Sequence, residues 1–179
     1  LFDAVFVGMD NYKLFLSDPM LMTGLRNTGI YAVLTSGFKV ILALPIAVLF
    51  VSPSVRYKGL HRGIVFFPTL VSTVAIGITF STLMQPSSGL INSSLALLGA
   101  PQPDWLGDPS RALYSVAMVD IWRGIGIALV IFMAGILAIP QEYFEAARLD
   151  GGAWIRFRHI ILPLSRNATF TVILLSFIG

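Results

Sequence analysis

Long apolar runs separated by short polar segments dominate this chain. Three runs, at about residues 30–51, 63–84 and 113–139, are long enough to cross the roughly 30 Å hydrocarbon layer of a membrane as helices. A fourth run occupies residues 168–179, and its twelve residues are fewer than the roughly 20 that a spanning helix needs. The pattern therefore predicts an all-α, polytopic bundle of transmembrane helices, in which the fourth helix is truncated.

The composition strengthens this prediction. Hydrophobic residues make up 56% of the 179 positions and charged residues only 12%, whereas charged residues are roughly 25% of a soluble domain. A soluble enzyme, a nucleic-acid-binding module and a disordered chain are poor fits, because no water-soluble fold of this length could bury so much apolar surface. The absence of cysteine excludes a disulfide framework and a thiolate metal site.

The basic residues predict the orientation of the helices. Lys and Arg are concentrated between the first two runs and after the third, whereas residues 85–112 contain one Arg beside two Asp. Because cytoplasmic connections carry the basic excess, the first and third connections are cytoplasmic and residues 85–112 lie outside. The segment before residue 30 then lies outside without a signal-peptide pattern, so we expect a preceding helix and a longer parent protein.

Two Asp-Pro pairs mark predicted helix starts. In Asp18-Pro19 and Asp108-Pro109, the Asp can cap a helix and the Pro can occupy its first position, where a missing N–H costs nothing. Within the outer connection, residues 89–98 are predicted to form a short helix at the membrane interface.

Three charged residues lie within the apolar runs: Lys39, Asp120 and Arg123. Counted from the outer ends of their helices, they fall at similar depths, where a charge is costly unless it is paired or faces water. Three interpretations are open. Lys39 pairs with Asp120, all three residues edge a water-accessible path, or they fasten helices together without contacting a solute.

The second run carries small and hydroxyl residues at helical spacing, which predicts that they share one face. That face is either a polar wall of a translocation route or a close-packed helix contact. These residues are Thr69, Ser72, Ala75, Thr79 and Thr82.

No catalytic motif is present. The sequence lacks the Gly-x-x-x-x-Gly-Lys phosphate loop, His-Glu-x-x-His and Gly-x-Ser-x-Gly, and no histidine lies within an apolar run. We therefore predict no catalytic residue, no metal site and no bound cofactor.

The predicted cytoplasmic segment at residues 140–166 reads as two short helices joined by a bend at Asp150-Gly151-Gly152. It contains more apolar side chains than a free cytoplasmic loop should expose, including Trp154 and Phe157. A partner protein could cover them, or the segment could lie on the lipid headgroups. The residue pattern alone leaves both options open.

The same segment resembles the cytoplasmic signature of ATP-binding-cassette importer permeases. The resemblance rests on Glu145-Ala146-Ala147, Asp150-Gly151, Phe157 and Ile160-x-Leu162-Pro163, although one residue is missing between Gly151 and Ile160. Other motifs are similar to the sugar-importing branch, the maltose and glycerol-phosphate type permeases. They are residues 134–140, Phe66-Phe67-Pro68, Gly89-Leu90-Ile91-Asn92, Asp10-Asn11-Tyr12 and Trp122.

The resemblance implies a permease domain of six core helices in the inner or plasma membrane, of which this chain would hold the second to the fourth and the start of the fifth. It implies alternating access driven by a separate cytoplasmic ATPase dimer, so the chain is not itself an enzyme. A second permease subunit, identical or paralogous, and an extracytoplasmic solute-binding protein would be further partners. The signature residues would form the ATPase-coupling loop, with Ile160, Leu162 and Pro163 anchoring it to the next helix.

Two alternatives to carbohydrate import are weighed against this interpretation. An importer of the same class could carry polyamines or amino acids. A channel or scaffold protein would instead rest its cytoplasmic segment on lipid and bind no ATPase.

Overall fold

The computed structural model describes residues 8–52 and 55–178, except for the side chains of residues 148–150. This described part is helical and contains no strand. Its helices are α1 (Asp10–Ser17), α2 (Pro19–Val51), α3 (Lys58–Leu70), α4 (Thr73–Leu83), α5 (Leu90–Leu97), α6 (Ala112–Leu137), α7 (Gln141–Asp150), α8 (Ala153–Arg156), a π-helical turn (Phe157–Ile161), α9 (Leu162–Leu164) and α10 (Arg166–Ile178).

Helices α2 and α6 are long and apolar enough to cross a membrane, with 33 and 26 residues. Helix α2 begins well before the apolar run, because Asp18 caps it as predicted. The Asp18 carboxylate accepts hydrogen bonds from the backbone N–H groups of Met20, at 2.8 Å, and Leu21, at 3.4 Å. Pro19 occupies the first position of the helix.

The second apolar run differs from its prediction, because it forms two helices, α3 and α4, that meet at 92°. Val71 and Ser72 between them have extended backbone conformations. Ser72 is a residue type favoured at helix N-termini, and its carbonyl accepts the first bond of α4 from Ile76, at 3.0 Å. The predicted single polar face is therefore wrong, since Thr69 lies in α3 and Thr79 in α4.

A second bend of 61° separates the segment Ala153–Leu164 from α10. If each bent pair counts as one span, the described part holds up to four candidate spans.

The core lies where α2, α6 and α10 pack together. Small residues of α2, such as Ala43 and Ala47, are completely buried there, so the helices approach closely around Phe132 of α6. Ala168 and Val172 of α10 complete this cluster, as does Ile161.

The outer connection is folded around one amide side chain. Asn92 of α5 is 1% exposed, and its Nδ2 donates to the carbonyls of Pro86, at 3.2 Å, and Pro103, at 3.0 Å. Its Oδ1 accepts from Trp105 Nε1 at 2.8 Å. The short helix expected at residues 89–98 is thus present, and its buried amide joins it to the following segment.

The helix start predicted at Asp108-Pro109 is wrong, because α6 begins at Ala112. Asp108 instead caps the preceding turn, where its carboxylate accepts hydrogen bonds from the hydroxyl and backbone N–H of Ser110. These bonds stabilise the ionised carboxylate and hold the pKa of Asp108 below its ordinary value.

Candidate functional site

The three charges predicted within the apolar runs lie together, and we call Lys39, Asp120 and Arg123 the charge cluster. Lys39 Nζ of α2 lies 2.7 Å from Asp120 Oδ2 of α6, and their side chains are only 9% and 20% exposed. This pairing, one of the three interpretations left open by the sequence, joins the two longest helices, and each charge offsets much of the other's desolvation cost.

Gly124 leaves room for the lysine of this pair. A Cβ atom at Gly124 would lie 2.5 Å from Lys39 Cε and 2.9 Å from Lys39 Nζ, so a larger residue would require the lysine side chain to shift. Sequence reasoning did not identify this glycine, although it lies four residues after Asp120 and thus one helical turn away.

Arg123 is the member of the cluster without a matching charge. Its Nε atom is buried and has no hydrogen-bond partner among the described residues. Its backbone carbonyl accepts a hydrogen bond from Thr69 Oγ1 of α3, at 2.8 Å. Gly126 lets the two helices approach, since a Cβ there would lie 2.9 Å from both Phe66 Cα and the Val65 carbonyl oxygen. The end of α3, next to its break, is thereby fixed to α6 beside the charge cluster.

The charge cluster lines a cleft of about 220 Å³ between α6 and α10. Hydroxyl groups of Thr69 and Ser176 contribute to its wall, and most other lining residues are apolar. Among the described residues, those of the charge cluster are the only charged ones that line it, so the wall carries a net charge of +1. The cleft offers hydrogen-bond donors and acceptors to a polar solute. No group of three or more His, Cys, Asp or Glu side chains within the described ranges could hold a metal ion.

The second region is the hairpin, which we define as α7 to α9, residues 141–164. Its bend lies at Gly151 and Gly152, as predicted, and both have extended backbone conformations. Ala147 of the signature is buried, whereas Glu145 and Ala146 are exposed. The side chain of Asp150, also predicted in the coupling loop, lies outside the described residues.

The inner face of the hairpin packs onto the core formed by α2, α6 and α10 through Phe144 and Phe157. The predicted anchors are only partly on this face: Ile160 is half-buried, whereas Leu162 and Pro163 are exposed. Ile161, which was not predicted, is 6% exposed and belongs to the core instead. Its spacing of four residues from Phe157 was the available signal, because such residues share a helix face.

The outer face of the hairpin exposes apolar side chains. Tyr143 is 53% exposed and Trp154 is 68% exposed, with the indole of Trp154 stacked on Phe157 at a centroid distance of 5.7 Å. Beside the packed inner face, a cavity of about 430 Å³ lies between the hairpin and the ends of α2 and α6, and both Glu145 and Arg156 line it. Arg156, another residue that sequence reasoning missed, has a buried Nε without a hydrogen-bond partner in the part of the chain that the structure describes.

Comparison with known families gives a match over residues 20–179 to the family described as "Binding-protein-dependent transport system inner membrane component". The chain is 34% identical over 183 residues to the diacetylchitobiose uptake system permease protein NgcF of Streptomyces coelicolor, covering 94% of this chain and 51% of the relative. It is 32% identical over 179 residues to the arabinooligosaccharides transport system permease protein AraP of Bacillus subtilis, covering 99% and 57%. The chain thus spans between half and two thirds of the length of these relatives.

Solved structures show the same fold. A chain in the crystal structure of a bacterial ABC transporter involved in the import of the acidic polysaccharide alginate matches with a TM-score of 0.83 at 22% identity. The match covers 98% of this chain and 62% of that chain. The all-α bundle expected from the sequence is therefore confirmed.

Proposed function

The chain belongs to the family of binding-protein-dependent transport system inner membrane components, and from this membership we propose that it forms part of the permease of an ATP-driven carbohydrate importer. Relatives at 32–34% identity are named for arabinooligosaccharides and diacetylchitobiose, which supports a saccharide as the solute. The permease spans the inner membrane several times. A separate ATPase dimer hydrolyses ATP, a second permease subunit completes the path, and an extracytoplasmic binding protein delivers the saccharide.

The observation that carries this proposal is the two-sided packing of the hairpin. Phe144 and Phe157 contact the core formed by α2, α6 and α10, while Tyr143 and Trp154 are exposed. A loop that only rested on lipid headgroups would not need an inner face packed into the helix core. Apolar groups on both faces instead suit a part that lies between two proteins.

This arrangement suggests how ATPase motion could reach the membrane. Packed side chains transmit displacement, because the protein interior is dense and has few voids. A shift of the hairpin would therefore move the cytoplasmic halves of α2, α6 and α10 against one another. Net transport requires that the ATPase and the saccharide each bind the inward-facing and outward-facing states with different affinities.

In this proposal the cleft beside the charge cluster forms part of the solute route. A saccharide presents several hydroxyl groups, and the walls of the cleft provide the Thr69 and Ser176 hydroxyls and the Arg123 guanidinium as hydrogen-bonding groups. The Lys39–Asp120 pair holds the wall in place between α2 and α6.

Variants of the hairpin in the full-length importer test the coupling role. Gly151 donates its N–H to the Ala147 carbonyl at 3.2 Å and has a φ of 160°, and proline permits neither feature. We expect Gly151→Pro and Glu145→Lys to abolish saccharide-stimulated ATP hydrolysis and ATP-dependent uptake in proteoliposomes, without preventing membrane insertion.

Gly152→Ala is the matched control, because its added Cβ meets no atom of the described residues within 4 Å and its backbone suits any residue. It should retain uptake. Full uptake by both Gly151→Pro and Glu145→Lys would refute the coupling role of the hairpin.

A further inference from the structure

The charge cluster contains two positive charges and one negative charge, so one positive charge has no counterpart within the cluster. Lys39 and Asp120 neutralise each other at 2.7 Å, and the lysine side chain is 9% exposed. Arg123 remains as a cation that no carboxylate among the cleft-lining residues balances. A guanidinium that no described carboxylate balances is costly within an apolar helix and therefore calls for an explanation in terms of function.

The surroundings of Arg123 make its charge effective over the whole cleft. Apart from the ion pair and the hydroxyls of Thr69 and Ser176, the lining is mainly apolar, with residues such as Ile127 and Leu175. Low-dielectric walls screen a charge poorly and concentrate its field in the opening. An uncharged solute is barely affected by this field, whereas a cation is repelled by it.

We propose that Arg123 is an electrostatic barrier that prevents cations, including protons, from leaking through the solute route. This inference rests on the proposed function, which places the cleft on the route of a saccharide. A route wide enough for a sugar is also wide enough for water and small ions, so a fixed positive charge would preserve the ion gradients of the membrane while the saccharide passes. Positive charges exclude cations and protons from other pores in the same way.

The net charge of the cleft, rather than any single contact, should decide the leak. Replacing Arg123 by Gln lowers the net charge from +1 to zero, and so does Ser176→Glu, which leaves the arginine in place. The double variant Lys39→Met with Asp120→Leu removes the ion pair but keeps the net charge of +1. Arg123→Lys keeps it as well, and Ser176→Ala alters the wall without changing its charge.

The experiment uses the full-length importer, reconstituted with its ATPase and second permease subunit in liposomes that contain a pH-sensitive dye. Proton and potassium fluxes down an imposed gradient are measured during ATP turnover, and chloride flux is measured in parallel. We expect both charge-neutral variants to pass protons and potassium at least about tenfold faster than the wild type, the lower end of the effect of a charged cleft. Chloride flux should not rise with them, which separates loss of the barrier from a misfolded, leaky protein.

The three charge-preserving variants should remain as tight to cations as the wild type. Tight membranes with both Arg123→Gln and Ser176→Glu, or a cation leak with the Lys39→Met, Asp120→Leu double variant, would overturn the barrier. If the wild type shows no ATP-dependent saccharide uptake, the proposed function fails. If uptake is normal and the neutral variants do not leak, only this inference fails.

Discussion

The charge cluster and the hairpin place their unusual side chains in opposite settings. In the charge cluster, polar groups are buried among apolar helices, and all but one of the charges find partners within this chain. In the hairpin, large apolar groups such as Trp154 remain exposed. The charge cluster thus finds most of its partners within the chain, whereas the hairpin leaves an apolar surface uncovered. Substitutions that break the Lys39–Asp120 pair should mainly change stability, and those on the outer face of the hairpin should mainly change partner binding.

The largest stability effect is expected for Asp120→Leu. The substitution leaves Lys39 buried without its partner, and breaking a buried ion pair on one side typically costs about 3–5 kcal/mol. Thermal unfolding of the purified full-length permease in detergent would show the loss as a lower transition temperature.

The double variant Lys39→Met with Asp120→Leu is the control for this prediction, because it replaces both charges by apolar groups. It should recover most of the lost stability, since an apolar pair of similar volume often substitutes well for a buried ion pair. Equal stability of Asp120→Leu and the wild type would mean that the two regions do not differ as described.

A smaller effect, about 1–3 kcal/mol, is expected for Gly126→Ala, since overpacking of this kind displaces neighbouring atoms. The new Cβ would lie 2.9 Å from backbone atoms of α3, and a helix backbone cannot move aside as readily as a flexible side chain. Thermal unfolding again measures the change.

Gly37→Ala is the matched control, because Gly37 is also within a long helix but no described atom lies within 4 Å of the added Cβ. There the higher helix propensity of alanine should leave stability unchanged or raise it by up to about 1 kcal/mol. If the two variants unfold at the same temperature, the close contact between α3 and α6 does not contribute to stability.

The sequence predicted those features that depend on polarity alone. A charge within an apolar run needs a partner, so the pairing of Lys39 with Asp120 could be raised as one interpretation before the contact was seen. The bend at Gly151 could be predicted because two successive glycines follow Asp150. Hydropathy, however, records how apolar a segment is and not its direction, so the 92° turn between α3 and α4 was missed.

The close approach between helices could not be predicted from the sequence either. Gly124 and Gly126 matter because of what lies opposite them on α2 and α3, and residue spacing along one helix does not contain that information. The excess charge at Arg123 is of the same kind. The charge of Arg123 became significant only once the residues lining the cleft were known, because none of their carboxylates remains to balance it.

The smallest stability effect is expected for Trp154→Ala on the outer face of the hairpin. Because Trp154 is 68% exposed, its truncation should change the free energy of unfolding by no more than about 0.5–1.5 kcal/mol, the worth of its stacking on Phe157. Binding of the purified ATPase should nevertheless weaken by more than about tenfold, since exposed tryptophans are often the energetic centre of an interface.

Phe170→Ala in α10, which is 64% exposed and outside the hairpin, should leave ATPase binding unchanged. If Trp154→Ala instead destabilised the permease as much as Asp120→Leu and left ATPase affinity intact, the hairpin would be a structural element rather than an open surface.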